Sequence, residues 1–172
     1  VPGRAGEGGA LEVEVDGALC ARLAVQQEGL VQRRQHAIEQ ARHLFSYLPE
    51  RWRERPPVAA AEAPARELSR AELPAQEAAG YDMHRVIECL VDADSFFELK
   101  PLFAPELTTG LARLDGHVVG IVANNPMHKG GVLFGDSADK AARFIFMCDA
   151  YDIPLVFLAD VPGFMIGTQV ER

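Results

Sequence analysis

Residues 137–167 read SADKAARFIFMCDAYDIPLVFLADVPGFMIG, and within them one hydrophobic pattern gives way to another. Ala141, Phe144, Ile145 and Cys148 recur at i, i+3, i+4 and i+7, the buried stripe of a helix. Asp136 is its expected N-cap, with Asp139 at the third helical position near the positive end. Pro154–Ala159 (PLVFLA) is then a continuous apolar run, the pattern of a strand covered on both sides. Upstream, Gly110–Leu114 and His117–Ala123 flank Asp115-Gly116, a favoured two-residue hairpin turn, and Asn124-Asn125-Pro126 stops the second strand. Strand, helix and parallel strand make a right-handed βαβ unit. The expected class is α/β.

Outward from this unit the chain changes texture at Gly80. Residues 1–80 carry 10 Arg, no Lys and 12 acids, while residues 81–172 carry 7 basic and 13 acidic residues, so most of the net charge of −8 sits in the second part. Nine of the 22 residues in 58–79 are Ala, and Pro64 and Pro74 break any long helix. That stretch has almost nothing to bury and reads as a linker or an extended surface arm. Residues 1–10 read as disordered in the same way. Between them, Val31, Ile38, Ala41, Leu44, Phe45 and Leu48 recur at helical spacing over 28–48, and Pro49 ends the run. Leu11–Val15 alternates like a short strand. After the linker, Tyr81–Val91 predicts a short helix with Met83, Val86, Ile87 and Leu90 inward. Asp92–Ala104 reads as a loop or broken helix anchored by Phe96 and Phe97.

A chain of 172 residues, 48% hydrophobic and 24% charged, fits one globular domain or a domain with an appendage. No apolar run approaches the roughly 18 residues of a membrane span, and the first residues lack the pattern of a secretory signal. Seventeen basic against 25 acidic residues argue against a nucleic-acid partner. Neither membrane nor nucleic acid is therefore expected. Cys20, Cys89 and Cys148, odd in number and far apart, give neither a disulfide framework nor metal-ligand spacing, so the expectation is a reducing cytoplasm and no metal in this chain.

In open α/β sheets, ligands sit beyond the carboxyl ends of the strands. Two such ends occur here, Asn124-Asn125 and Asp160–Gly167, and parallel neighbours put both on one edge. Pro162 fixes a φ angle, while Gly163 and Gly167 permit positive φ and close approach to bare backbone. Such a loop can aim N–H groups at a carbonyl that becomes an oxyanion. The other reading is a tight strand-to-helix turn with no chemistry. Met127–Gly135, with Gly130-Gly131, has the spacing of neither a dinucleotide fingerprint nor a phosphate loop and reads as flexible. Asp139 and Arg143, at i and i+4, read as a surface ion pair. His128 is the one histidine beside the candidate pocket. No Ser or Cys lies in a nucleophile elbow, and Cys148 reads as a small apolar core residue.

The blocks YDMHRVIECLVDADSFFELKPLFAPELTTGLARLDGHVVGIVANNP (81–126) and SADKAARFIFMCDAYDIPLVFLADVPGFMIG (137–167) resemble the carboxyltransferase (beta) subunits of biotin-dependent acyl-CoA carboxylases, of the propionyl-, acetyl- and methylcrotonyl-CoA types. ARHLFSYLPERWRERPP (41–57) resembles that family's bridge between its two halves. The resemblance implies a crotonase-like fold in two halves, assembled as a homo-oligomer, a hexamer. One subunit's N-terminal half holds acyl-CoA, and a neighbour's C-terminal half holds carboxybiotin, delivered by a biotin carboxylase/biotin carrier partner. The implied reaction moves the carboxyl group to the α-carbon of a short acyl-CoA. The freed ureido nitrogen takes the α-proton, and backbone N–H groups in two oxyanion holes hold the enolates. The cofactor then carries the hard chemistry. By carry-over, Asn124, Asn125, Pro126, Pro162, Gly163, Phe164 and Gly167 line the biotin side of the pocket; no catalytic side chain is assigned. Tyr81 and Asp82 open the half-domain and are read as structural.

The chain also departs from that family. The glycine pair of the C-terminal oxyanion hole, in a Gly-Gly-Ala-Tyr-like turn, and the N-terminal half with its CoA site are not found in it. The expectation is an incomplete crotonase-like half-domain with a βαβ unit, preceded by a helix and an Ala/Pro-rich linker. Residues 1–57 would be a remnant of the N-terminal half with the bridging helix, 58–80 the linker, and 81–172 the start of the biotin-side domain. Alone it would be inactive, its last strand leaving an unpaired edge. The alternatives are a biotin-dependent acyl-CoA decarboxylase or transcarboxylase subunit, or a non-catalytic chain that docks on full-length subunits. Fourteen Arg against three Lys suggest a GC-rich bacterial gene; a mitochondrial matrix location is the alternative to the cytoplasm.

Overall fold

The computed structural model describes residues 34–51, 54–68 and 80–167. The strand expected at Leu11–Val15, residues 1–10, the helix start at 28–33 and residues 69–79 of the linker lie outside the described residues. Contacts divide the chain into two units, Val1–Ala41 and Arg42–Arg172. Of the first, only 34–41 are described, and they belong to a helix, α1, that runs over 34–45. The second unit carries the sheet.

The turn Asp115-Gly116 organises that sheet. Both residues have positive φ, 51° and 76°, as a type I′ turn requires. The strands it joins, β2 (Leu107–Leu114) and β3 (His117–Asn124), pair antiparallel from Leu114↔His117 to Leu107↔Asn124. Asp92 closes the turn from outside, its carboxylate accepting the Asp115 N–H at 2.9 Å and the Gly116 N–H at 2.8 Å. A two-residue strand, β1 (Phe97–Glu98), adds antiparallel to β2. Two residues are too few to show alternation, which is why the sequence predicts only a loop there.

On the other side of β3 the expected βαβ unit is present. Helix α3 (Gly135–Ala150) leads to β4 (Leu155–Leu158), which lies parallel to β3 from Gly120↔Leu155 to Ala123↔Leu158. The sheet order is β1-β2-β3-β4. Leu107, Leu111, Val118 and Val122 pack on Phe144 and Cys148 of α3, together with Tyr47 and Ile153. On the opposite face Ala112, Val119, Ile121 and Ala123 meet Met83 and Ile87 of α2 (Met83–Glu88) and Val91. Helix α3 crosses β3 closely: a Cβ at Gly120 would stand 2.7 Å from Cys148 Sγ. Burial pushes the Cys148 thiol up to about 11, so it stays a neutral, apolar filler.

Several expectations need correction. The α3 N-cap is Phe134, not Asp136, which is already helical. Ser137 does the capping, its Oγ accepting the Phe134 N–H at 2.7 Å from the third helical position. Helix α2 ends at Glu88, so Leu90 turns outward. Strand β4 is an edge strand and Phe157 is 57% exposed, so PLVFLA is not covered on both sides among the described residues. Of the residues that recur at helical spacing, Ile38 and Phe45 are exposed, and Tyr47, outside that series, is buried. Asp139 and Arg143 make no ion pair within 4 Å among the described residues, where they instead line a small cavity with Lys100 and Phe103.

Two unexpected ties hold the periphery. Lys140 of α3 is buried and its ammonium donates to the carbonyls of Phe103 (2.8 Å), Ala104 (3.3 Å) and Leu107 (2.6 Å). Residues 54–68 form no helix or strand, yet they are not loose: the Ala59 N–H donates to Gly116 O at 3.0 Å. A Cβ at Gly116 would lie 2.2 Å from Ala59 O, so that turn position must be glycine on two counts.

Candidate functional site

The parallel pairing of β3 and β4 brings their carboxyl ends side by side, as expected. From β3 the chain enters Asn124-Asn125-Pro126. Asn124 is buried and its Nδ2 donates to Gly131 O at 3.1 Å. Asn125, also buried, accepts the Met127 N–H on its Oδ1 at 3.2 Å, while its own N–H donates to Glu106 O. Both amides thus hold the 127–134 segment in place.

That segment is a bonded turn rather than a flexible loop. Lys129, Gly130 and Gly131 have φ of 48°, 63° and 72° in succession, a left-handed run that only glycine adopts readily. The Gly131 N–H donates to His128 O and the Val132 N–H to Lys129 O. A Cβ at Gly131 would stand 2.9 Å from Asp160 O, which brings the two strand ends into backbone contact. His128 is exposed. Beneath the turn, Glu106 is almost fully buried; its Oε2 lies 3.6 Å from Lys129 Nζ and has no hydrogen-bond partner among the described residues.

From β4 the chain passes Asp160 into Val161–Gly167. Leu133 bridges to Phe164: its N–H donates to Gly163 O at 3.1 Å and its carbonyl accepts the Met165 N–H at 2.8 Å. Gly163 and Gly167 both have φ of 148°, and a Cβ at either would meet nothing within 4 Å. Their conformation favours glycine, and the space beside them is open. Tyr81, just before α2, donates its hydroxyl to Asp160 Oδ2 at 2.7 Å. Burial, then the bond to Asp160, pushes the phenol up to about 12. Asp82 caps α2 by accepting the His84 N–H.

Between α3, β4 and this loop lies an open apolar cavity of about 400 Å³, bounded by Leu133, Ile145, Phe157, Val161 and Phe164, with Asn124 at its polar corner. Of the seven residues expected at the site, Asn124 and Phe164 line it. Pro126, Pro162, Gly163 and Gly167 stand in the adjoining segments, and Asn125 is turned to the 127–134 turn. Among the described residues no three His, Cys, Asp or Glu side chains group as a metal site, and no helix is long and apolar enough to cross a membrane.

Residues 12–172 match the carboxyl transferase domain. The chain belongs to the carboxyl transferase domain family. The match begins well before the blocks that carry the sequence resemblance. Among curated relatives, the "Uncharacterized carboxylase YngE" of Bacillus subtilis (strain 168) is 54% identical over 145 residues, covering 83% of this chain and 28% of that protein. The "Biotin-dependent long chain acyl-coenzyme A carboxylase beta4 subunit" of Mycobacterium tuberculosis is 38% identical over 141 residues, covering 79% and 27%. Among solved structures, the transcarboxylase 12S hexamer with methylmalonyl-coenzyme A and methylmalonic acid bound superposes with a TM-score of 0.71 at 39% identity, over 77% of this chain and 26% of that one. This carboxyl transferase chain therefore spans about a quarter of the length of the relatives it matches. Its four-stranded α/β unit is part of the crotonase-like fold that the sequence led us to expect.

Sequence reasoning located both strand ends but missed the residues that join them. Tyr81 and Asp160 are 79 positions apart, and no local pattern links them. Leu133 could have been suspected, as the apolar residue closing a glycine turn ahead of α3.

Proposed function

We propose that the protein carrying this chain transfers a carboxyl group from carboxybiotin to the α-carbon of a short acyl-CoA, and that residues 81–172 begin its biotin-side domain. The observation that carries this reading is the likeness of residues 12–172 to the carboxyl transferase domain. Of the seven expected residues, Asn124 and Phe164 would meet biotin directly, while Asn125, Pro126, Pro162, Gly163 and Gly167 would shape the two segments that border the cavity. The cavity suits it: a volume of about 400 Å³ is ample for a small bicyclic ring, its lining is apolar apart from Asn124, and open backbone runs alongside at Gly163.

Bound as carboxybiotin, the cofactor would supply the transferable carboxyl group. The chain's own contribution is orientation and exclusion of water. Phe164, Val161 and Phe157 present an apolar wall. Leu133 fixes the backbone of 163–165 by two hydrogen bonds, so that its dipoles stand in place before the reacting group arrives. Such preorganised dipoles need no reordering at the moment of reaction, and one well-placed donor accounts for roughly 10²–10³ in rate in comparable sites. The proposed setting is a hexamer in the cytoplasm, served by a biotin carboxylase/biotin carrier subunit.

The test is to supply the protein with biotinylated carrier, biotin carboxylase, ATP, bicarbonate and propionyl-CoA, and to look for carboxylated product by mass spectrometry. Product that disappears on adding avidin supports the reading; no product with any short acyl-CoA overturns it. The similarity to transcarboxylase 12S supports a second reading, in which the carboxyl donor is another acyl-CoA. Transfer from methylmalonyl-CoA without ATP or bicarbonate would select it.

A further inference from the structure

Gly80 and Tyr81 lie between the two strand ends. A Cβ at Gly80 would stand 3.1 Å from Pro126 O, at the end of β3. The next residue sends its hydroxyl to Asp160 Oδ2, at the end of β4. Asp160 is held again from the other side, where its carbonyl packs on Gly131 so closely that a side chain there would stand 2.9 Å away. Asp160 is exposed, so water could serve its carboxylate equally well; a 2.7 Å bond to a residue 79 positions away is a constraint rather than a way of satisfying a lone pair. Three residues beyond Asp160, the loop is tied to Leu133, which itself follows Gly131 by two positions.

We infer that Tyr81 is a positioning residue: with Gly80 it straps the end of β3 to the end of β4 and so sets where the Pro162–Phe164 backbone stands in the site. This rests on the carboxyltransferase reading for its chemical consequence but not for its geometry. Tyr81 need not touch substrate. Its phenol stays protonated at working pH, because burial and Asp160 hold it near 12, and it therefore remains a donor. Releasing it frees Asp160 on one side, leaves the Gly131 contact on the other, and loosens the stretch beyond it. Tyr81, structural by its place in the sequence, thereby has a definite task.

The test uses Tyr81→Phe, which keeps the ring and removes only the hydroxyl, with Asp160→Asn as its partner. Hydrogen exchange measured by mass spectrometry reads the Leu133 and Met165 amides directly. The expected result is exchange about three- to tenfold faster at these two amides, as loss of one partly exposed hydrogen bond gives, with the β2–β3 hairpin unchanged. Unchanged exchange at Leu133 and Met165, or an equal rise across the hairpin, overturns the strap. In the carboxyl-transfer assay, Tyr81→Phe should raise the KM for the carboxylated carrier several-fold and leave the KM for acyl-CoA as it was, with no further loss in the Tyr81→Phe, Asp160→Asn double variant. A fall in kcat with both KM values unchanged overturns the positioning role. Absence of transfer by the wild type overturns the functional reading instead, and the exchange measurement then decides the strap by itself.

Discussion

Arg113 stands over the ring of Tyr47, its guanidinium carbon 4.9 Å from the ring centroid, and its fork grips two carbonyls of the preceding chain. Nη2 donates to Ser46 O at 2.9 Å and Nη1 to Pro57 O at 3.0 Å. Tyr47 in turn donates its buried hydroxyl to Ser95 O. One β2 side chain thus fastens the chain at Ser46 and again at Pro57 to the hairpin.

Arg113→Lys keeps the charge and loses the planar fork and the stack. We expect it to lower the free energy of unfolding by about 1–2 kcal/mol, read as a lower midpoint in urea. An unchanged midpoint would show that the segment is held by other contacts.

At Gly120, β3 is closely covered by side chains of both β4 and α3. A Cβ there would lie 2.7 Å from Cys148 Sγ and 2.9 Å from Leu155 Cδ2. Gly120→Ala should cost about 1–3 kcal/mol by overpacking. Adding Cys148→Ala should recover part of that cost, since it removes the nearest of the three crowding atoms, the others being on Leu155 and Phe144, so the pair will be less than additive. Strict additivity in thermal unfolding would count against the contact.

His84 gives a pH signature. Its Nε2 lies 2.8 Å from Glu98 and its Nδ1 2.9 Å from Asp82. The Glu98 bond, joined by Asp82 and opposed by burial, raises it from 6.5 to about 9. The folded form therefore binds the proton more tightly than the unfolded one. The resulting stability is complete below about pH 6.5 and is lost as pH climbs through about 9. We expect the unfolding midpoint to fall across that window in the wild type and to fall less in His84→Gln; equal slopes in the two proteins would sink the assignment.

Lys140→Met should be the most damaging change outside the site. It leaves the carbonyls of Phe103, Ala104 and Leu107 without their common donor in a buried place. A loss of about 2–4 kcal/mol is expected, with limited proteolysis appearing first at 100–106. Cleavage elsewhere at the same rate would mean that Lys140 is not what orders this loop.

The parts of this fold that could be read from the sequence are those whose cause is local. Asp115-Gly116 dictates its turn by backbone sterics alone, and Phe144 and Cys148 declare the buried side of α3 by spacing. Tyr47, Lys140 and the Tyr81–Asp160 bond could not be read, because each depends on a partner far along the chain and each breaks a compositional habit. Phe45 looks the better core residue than Tyr47 until Arg113 and Ser95 supply the phenol with a polar setting. The run Leu155–Leu158 looks covered on both sides because its residues are uniformly apolar, and composition cannot tell which neighbour lies within the described chain. For the site, Asn124 and Phe164 were legible as strand-end residues; the left-handed turn at 129–131 was not, since Lys129 is a residue that avoids positive φ.

The contact between Ala59 and Gly116 bears on synthesis. The 54–60 stretch leaves the ribosome ahead of the turn on which it rests, by about 60 residues. At about 5–20 residues per second, it waits on the order of several seconds with its seat not yet made, whereas the hairpin itself closes in roughly microseconds once its second strand is free. Docking of this stretch is therefore a late event in the nascent chain, and the stretch is open to chaperones and proteases until His117–Asn124 has emerged.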